Sequence, residues 1–166
     1  MLLDIGALFT GERKSLPIDC ILDFSDFEFR YNHPFAHPVT VRGEVSESAG
    51  VVSLKATVDI LYRFHCDCCL DMAEQPMQIP IEHVLVRSKS DENDIDSVKV
   101  DNSRLLLDDV VIEDLLLYLP QKNLCSEDCR GICPKCGRNL NRESCDCKSN
   151  DFDPRFDILK QFIQSD

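Results

Sequence analysis

Long apolar runs are missing from this 166-residue chain. No stretch approaches the ~20 apolar residues that a membrane-spanning helix needs, so no helical span is expected. An export signal is not expected either: Met1-Leu2-Leu3-Asp4-Ile5-Gly6 has no basic start, and Asp4 interrupts the apolar positions. Positive charge is scarce, with 18 Lys and Arg against 30 Asp and Glu, a formal net charge of −12. Such a surface is a poor generic binder of nucleic acid, because phosphate contacts need Lys and Arg. Signatures of catalysis are lacking as well. There is no phosphate-cradling glycine loop, nucleophile elbow or Ser-His-Asp constellation, and no carboxylate–histidine site can be assembled for a metal-dependent nuclease.

What the chain has is cysteine: ten in all, six of them between Cys125 and Cys147. Without an export signal, clustered thiols point to a reducing, cytoplasmic setting, where they hold metal or do redox work rather than form a disulfide framework. Cys133-Pro134-Lys135-Cys136-Gly137 has the form of a zinc knuckle, two thiolates two residues apart with a glycine that lets the turn fold back. The first choice of ligands for one structural zinc is Cys133, Cys136, Cys145 and Cys147, with Cys125 and Cys129 as alternates or a supporting pair. A second cluster, Cys66-Asp67-Cys68-Cys69, also contains knuckle spacing. Cys66 and Cys69 added to the six distal cysteines make eight, enough for two sites of four thiolates. Alternatively they are a thiol-redox or zinc-responsive pair. A redox dithiol would normally open a helix, whose field lowers the thiol pKa, and here Pro76 follows soon after. Zinc held by four thiolates has no open position for water, which argues against hydrolysis. His65, next to Cys66, could replace a cysteine but reads better as a strand-end residue. Cys20 reads as a core residue.

Period-2 alternation dominates the first half. Strands are expected at Pro17–Phe24, His37–Val45, Val51–Phe64 and Met77–Val86, with a turn at Glu47-Ser48-Ala49-Gly50 and a short strand at Val98–Val100. The fold class expected is α+β: a mainly antiparallel β body, barrel-like or a sandwich, with a packed helix and a C-terminal cysteine-rich zinc module. Residues 1–104 form the body, including an acidic loop over 88–103. Residues 105–120 form a helix with Asp108 as cap and Ile112, Leu115, Leu116 and Leu119 on its buried face, stopped by Pro120. Residues 121–150 form the cysteine module. Residues 151–166 form a last helix opened by Asp153-Pro154, with Phe156, Leu159, Phe162 and Ile163 as its apolar stripe. Charge divides along this plan. Up to Pro120 there are 10 Lys and Arg against 22 Asp and Glu, a balance of −12, whereas from Gln121 onward 8 meet 8. An acidic body suits a basic protein partner, and the basic residues around the knuckle (Arg130, Lys135, Arg138, Arg142) could touch RNA or simply offset thiolate charge.

One set of residues carries a family resemblance. Phe64-x-Cys66-x2-Cys69-Leu70, the run Leu115 to Leu119-Pro120, and Leu124-Cys125-x3-Cys129-Arg130-Gly131-Ile132-Cys133-Pro134-x-Cys136-Gly137-x-Asn139-Leu140-Asn141 come first. Cys145-x-Cys147 and Asp153-Pro154-Arg155 complete it. Together they resemble the YceD family, large ribosomal RNA subunit accumulation proteins of bacteria and plastids. Cys68 departs from the pattern. The resemblance implies a non-enzymatic factor in large-subunit biogenesis that supports 23S ribosomal RNA accumulation. Its expected partners are a basic ribosomal protein, an assembly factor or precursor RNA, and no membrane.

Overall fold

The alternating stretches do pair as strands. In the computed structural model, which describes residues 1–87, 97–100 and 102–147, β1 (Leu2–Asp4) and a one-turn α1 (Gly6–Phe9) lead into β2 (Ser15–Leu22). Then follow β3 (Val39–Ser48), β4 (Val51–His65), β5 (Met72–Val86), β6 (Ser97–Lys99), β7 (Arg104–Leu106) and α2 (Leu107–Tyr118). One sheet has the order β2-β3-β4-β5-β6, and β1 pairs with β7 in a small second sheet. The architecture is mostly β, a sheet curled into a half-barrel, with few helices. The helix expected from Asp153 and most of the acidic loop lie outside the described residues. Among the described residues no helix is long and apolar enough to cross a membrane.

β4 shows why the sheet forms. Its inward positions Leu54, Ala56, Val58, Ile60, Tyr62 and Phe64 are buried, while Lys55, Thr57, Asp59 and Arg63 face out. Inward residues of β3 (Val39, Val41, Val45) and β5 (Ile79, Ile81, Leu85) complete the concave core. Each such side chain contributes about 1.5–3 kcal/mol by leaving water. Gly43 faces Ala56 in the β3–β4 register, so the two backbones close up and the sheet curls tightly.

Several details differ from expectation. β5 begins at Met72, five residues before the apolar alternation at Met77, because β4 is long enough to pair with it as far as His65. β6 runs parallel to β5. The helix starts at Leu107, and its N-cap is Leu106 without a side-chain cap, so Asp108 is not the cap. Instead the Asp108 carboxylate accepts the Met1 amino group. The buried face of α2 is Leu107, Val110, Val111, Asp114 and Leu115, not the stripe through Ile112, Leu116 and Leu119, which are only half-buried. Packing against β5 rotates the helix toward Asp114, whose carboxylate Oδ2 accepts from His83 Nε2 at 2.6 Å. His83→Ala is expected to destabilise the fold by about 2–3 kcal/mol, because a buried carboxylate loses a partner. Urea unfolding checks this: the companion substitution Asp114→Leu should restore most of the loss, and no loss at all would show the pair to be unimportant.

Three tight turns among the described residues have consecutive residues at positive φ, one of them Asn102 (51°) and Ser103 (59°) just before β7. Ala49 (52°) and Gly50 (85°) join β3 to β4, as the sequence led us to expect. Arg30 (51°) and Tyr31 (63°) form the remaining one, closed by Phe29 N–H to the Asn32 carbonyl at 2.8 Å and the reverse bond at 3.1 Å. Such turns favour Asn-Gly; two bulky residues there cost on the order of 1–2 kcal/mol each.

Candidate metal centre

The two cysteine pairs spaced two residues apart are presented by the same backbone device. At Cys133-Pro134-Lys135-Cys136-Gly137-Arg138, Gly137 N–H donates to the Cys133 carbonyl at 2.9 Å, and Cys133 N–H donates to Arg138 at 2.8 Å. At Cys66-Asp67-Cys68-Cys69-Leu70-Asp71, Leu70 N–H donates to the Cys66 carbonyl at 2.9 Å, and Cys66 N–H donates to Asp71 at 2.9 Å. The spacing of these bonds is identical. The fifth residue is left-handed in both, Gly137 at φ 72° and Leu70 at φ 63°. Glycine advertises the turn in the first motif; leucine conceals it in the second.

The sulfurs gather into two groups of four. Cys66, Cys69, Cys125 and Cys129 form one, and Cys133, Cys136, Cys145 and Cys147 form the other, each with all Sγ atoms within 4.8 Å of one another. The first-choice distal four thus stand together. Cys125 and Cys129 do not support them; they cross to the pair that follows β4. Cys66 Sγ lies 3.7 Å from Cys129 Sγ, and Cys69 Sγ lies 3.6 Å from Cys125 Sγ. A tetrahedron with metal–sulfur distances of 2.3 Å has edges of about 3.8 Å, so the spacing fits a soft four-coordinate cation. It is far too long for a disulfide at about 2.05 Å. Either group could hold a metal ion. Cys68 belongs to neither: its carbonyl accepts Ile132 N–H at 3.0 Å. Nor does His65, whose Nδ1 lies 3.4 Å from the Leu70 carbonyl. Cys20 is half-buried against the core.

The electrostatics of the two groups match. Burial alone would raise the Cys66 thiol, but backbone N–H groups of Cys125, Cys69 and Cys68 bring it down to about 6. The amides of Cys136 and Lys135 likewise draw Cys133 down to about 6. In the same groups, the Asp71 amide lowers Cys69, yet burial and the surrounding sulfurs carry it up to about 12. The Cys136 sulfur, with burial, pushes Cys147 to about 12. One thiolate per group therefore forms readily and the next are resisted by like charge. Four thiolates in so small a space need a cation among them.

Residues around the sulfurs join the two groups to each other and to the sheet. Asn123 accepts Tyr62 O–H on its Oδ1 (3.2 Å), and its N–H donates to Asp67 Oδ2 (2.7 Å). Asn141 Nδ2 donates to Cys129 Sγ at 3.3 Å, while Asn141 Oδ1 accepts Arg130 N–H at 2.8 Å. Asn139, just after the second knuckle, donates to Asp71 beside the first at 2.8 Å. Gly131 sits at φ 71°, and a Cβ there would lie 2.9 Å from the Cys68 carbonyl oxygen. These are positioning residues. The asparagines are not metal-ligand types and Asp71 belongs to neither sulfur group, so cysteine spacing alone did not mark them.

Comparison with known proteins gives two findings. The family described as "Large ribosomal RNA subunit accumulation protein YceD" matches residues 54–163. A protein of Bacillus subtilis (strain 168), "Uncharacterized protein YlbN", is 26% identical over 131 residues, covering 78% of this chain and 76% of its own length. No solved structure matches the chain.

Proposed function

From the premise that the chain belongs to the YceD family of large ribosomal RNA subunit accumulation proteins, we propose that it is a cytoplasmic, non-enzymatic factor in large-subunit biogenesis. It supports 23S ribosomal RNA accumulation by holding a component of the assembling particle. The observation that carries this reading is the pair of closed four-sulfur groups on one side of an acidic half-barrel. Zinc is the ion whose chemistry fits an all-thiolate tetrahedron. Cys66, Cys69, Cys125 and Cys129 would hold one ion, and Cys133, Cys136, Cys145 and Cys147 a second. When bound, zinc supplies rigidity, and with all four positions taken by sulfur it offers no site for a reacting water. The half-barrel with α2 and the described part of the cysteine module then act as one rigid platform, tied by the first ion. A Cys66/Cys69 redox role is less well supported. Both sulfurs contact cysteines of the distal module, and β5, not a helix, follows them.

The acidic body is the surface offered to a basic ribosomal protein or assembly factor, through complementary charge. Affinity capture of the tagged chain from lysate at moderate salt should recover large-subunit components, together with about two zinc ions per chain by elemental analysis. Recovery of no such component would reject the biogenesis role. A metal-free, well-folded protein with all its thiols titratable would reject the zinc.

A further inference from the structure

The Arg30–Tyr31 turn spends conformational strain and returns nothing to the core: Tyr31 is 96% exposed. Bulky residues at left-handed positions cluster at functional sites, where the surrounding structure holds them. Beside the turn lies a cleft of about 230 Å³ between the loop, the inner face of β4 and the end of α2. It is lined by Phe29, Tyr62 and Phe64, by Arg30, and by the amide side chains of Asn32 and Asn123. Tyr62 and Phe64 stack at 5.1 Å, and the Arg30 guanidinium lies 5.0 Å from the Phe29 ring centre. A cleft this size falls below the ~300 Å³ lower bound of ordinary small-molecule pockets, so it suits a single ring rather than an extended ligand. A groove sharing Asn32, Arg63 and Phe64 continues past Tyr31, His33, His65 and Met72.

Charge identifies the occupant. On a chain of net charge −12, none of the described residues lining cleft or groove is acidic, while Arg30, Arg63, His33 and His65 are present. Glu74 takes the Nε of Arg63 at 2.9 Å from outside the lining, which leaves Arg30 as the principal cation. An exposed aromatic ring beside a cation and amide side chains is the chemistry of a single-stranded RNA contact, with Tyr62 and Phe64, each 4% exposed, as the floor of the cleft. Bases stack, phosphates meet Arg, and amides read base edges. A basic protein segment would find no carboxylate among the lining residues, and the bordering Glu74 and Asp67 are engaged by Arg63 and the Asn123 amide.

We propose that the Arg30–Tyr31 turn and its adjoining cleft bind a short single-stranded RNA segment, with a base stacked on Tyr31 and a phosphate on Arg30. This rests on the biogenesis role and adds a direct RNA contact, separate from the acidic surface assigned to a protein. The test uses the full chain, a fluorescein-labelled oligoadenylate and an abasic ribose-phosphate strand of equal length, read by anisotropy. Tyr31→Gly should weaken oligoadenylate binding about tenfold, from the loss of one stacked base, and leave the melting temperature unchanged or higher. Arg30→Gln should weaken both strands. Equal binding of the base-bearing and abasic strands overturns the inference, as does a Tyr31→Gly protein that binds like the unsubstituted one. If the unsubstituted chain ignores oligoadenylate yet still captures large-subunit components, the RNA site falls and the biogenesis role stands. If it captures none, the role itself fails, and with it the ground for an RNA contact.

Discussion

Serine at Cys66 is expected to release the cysteine-rich arm from the sheet while the sheet stays folded. Cys66 belongs to the group whose members come from both sides, two from the end of β4 and two, Cys125 and Cys129, from the arm. Zinc sites of this kind contribute roughly 10–16 kcal/mol in isolated finger peptides. Loss of one thiolate should therefore cost on the order of 5 kcal/mol of docking free energy, more than the few hydrogen bonds around Asn123 and Gly131 supply. The sheet should survive because its core cluster, from Ile5 to Leu115, includes none of the eight clustered cysteines. Zinc content should fall from two ions to one, and limited proteolysis should cut the arm between Leu124 and Cys147. Cys145→Ser should also remove one zinc, but leave the arm docked, since the second group lies wholly within the arm. Retention of both ions and full protease resistance in Cys66→Ser would show that the sulfurs do not share a metal.

Alanine at Gly43 should destabilise the sheet by on the order of 3–5 kcal/mol, the range of severe core substitutions. A Cβ on Gly43 would lie 2.2 Å from the Lys55 carbonyl oxygen, 2.5 Å from Ala56 Cα and 2.7 Å from Ala56 Cβ. The first two are backbone atoms that no rotamer change can remove, so β3 and β4 must separate at the Gly43–Ala56 pair. The flanking inward residues, Val41, Val45, Leu54 and Val58, would lose their packing in turn. Chemical denaturation checks the size of the loss. Combining Gly43→Ala with Ala56→Gly removes one of the three clashes and should not rescue the fold. A midpoint unchanged from the unsubstituted protein would mean that the strands have room to spare.

Strand content was legible because burial on one face imposes a period of two, and β4 shows it without interruption from Val52 to Phe64. β5 was legible only from Met77 on. The run Met72-Ala73-Glu74-Gln75-Pro76 carries no clean alternation, and its strand character comes from the partner β4 provides. The face of α2 was misjudged by less than a turn, because a run of leucines leaves several faces apolar and only contact with β5 chooses among them. Tyr31 gave no sign at all. An exposed aromatic in a loop looks ordinary until the backbone is seen to be left-handed on both sides of the Arg30–Tyr31 bond.

Residue order alone determined that sulfurs would cluster, that Cys133 and Cys136 would form a knuckle, and that the chain would resemble its family, since all three are written in short-range spacing. Which sulfurs share a site was decided elsewhere. Cys66 and Cys129 are 63 positions apart and meet only because β4 delivers one and the arm folds back with the other. Ligand sets are defined by distance in space, and spacing along a chain reports that distance only where the backbone turns locally. The six distal cysteines looked like one reservoir for this reason, and the tertiary structure divided them by sending Cys125 and Cys129 to the sheet.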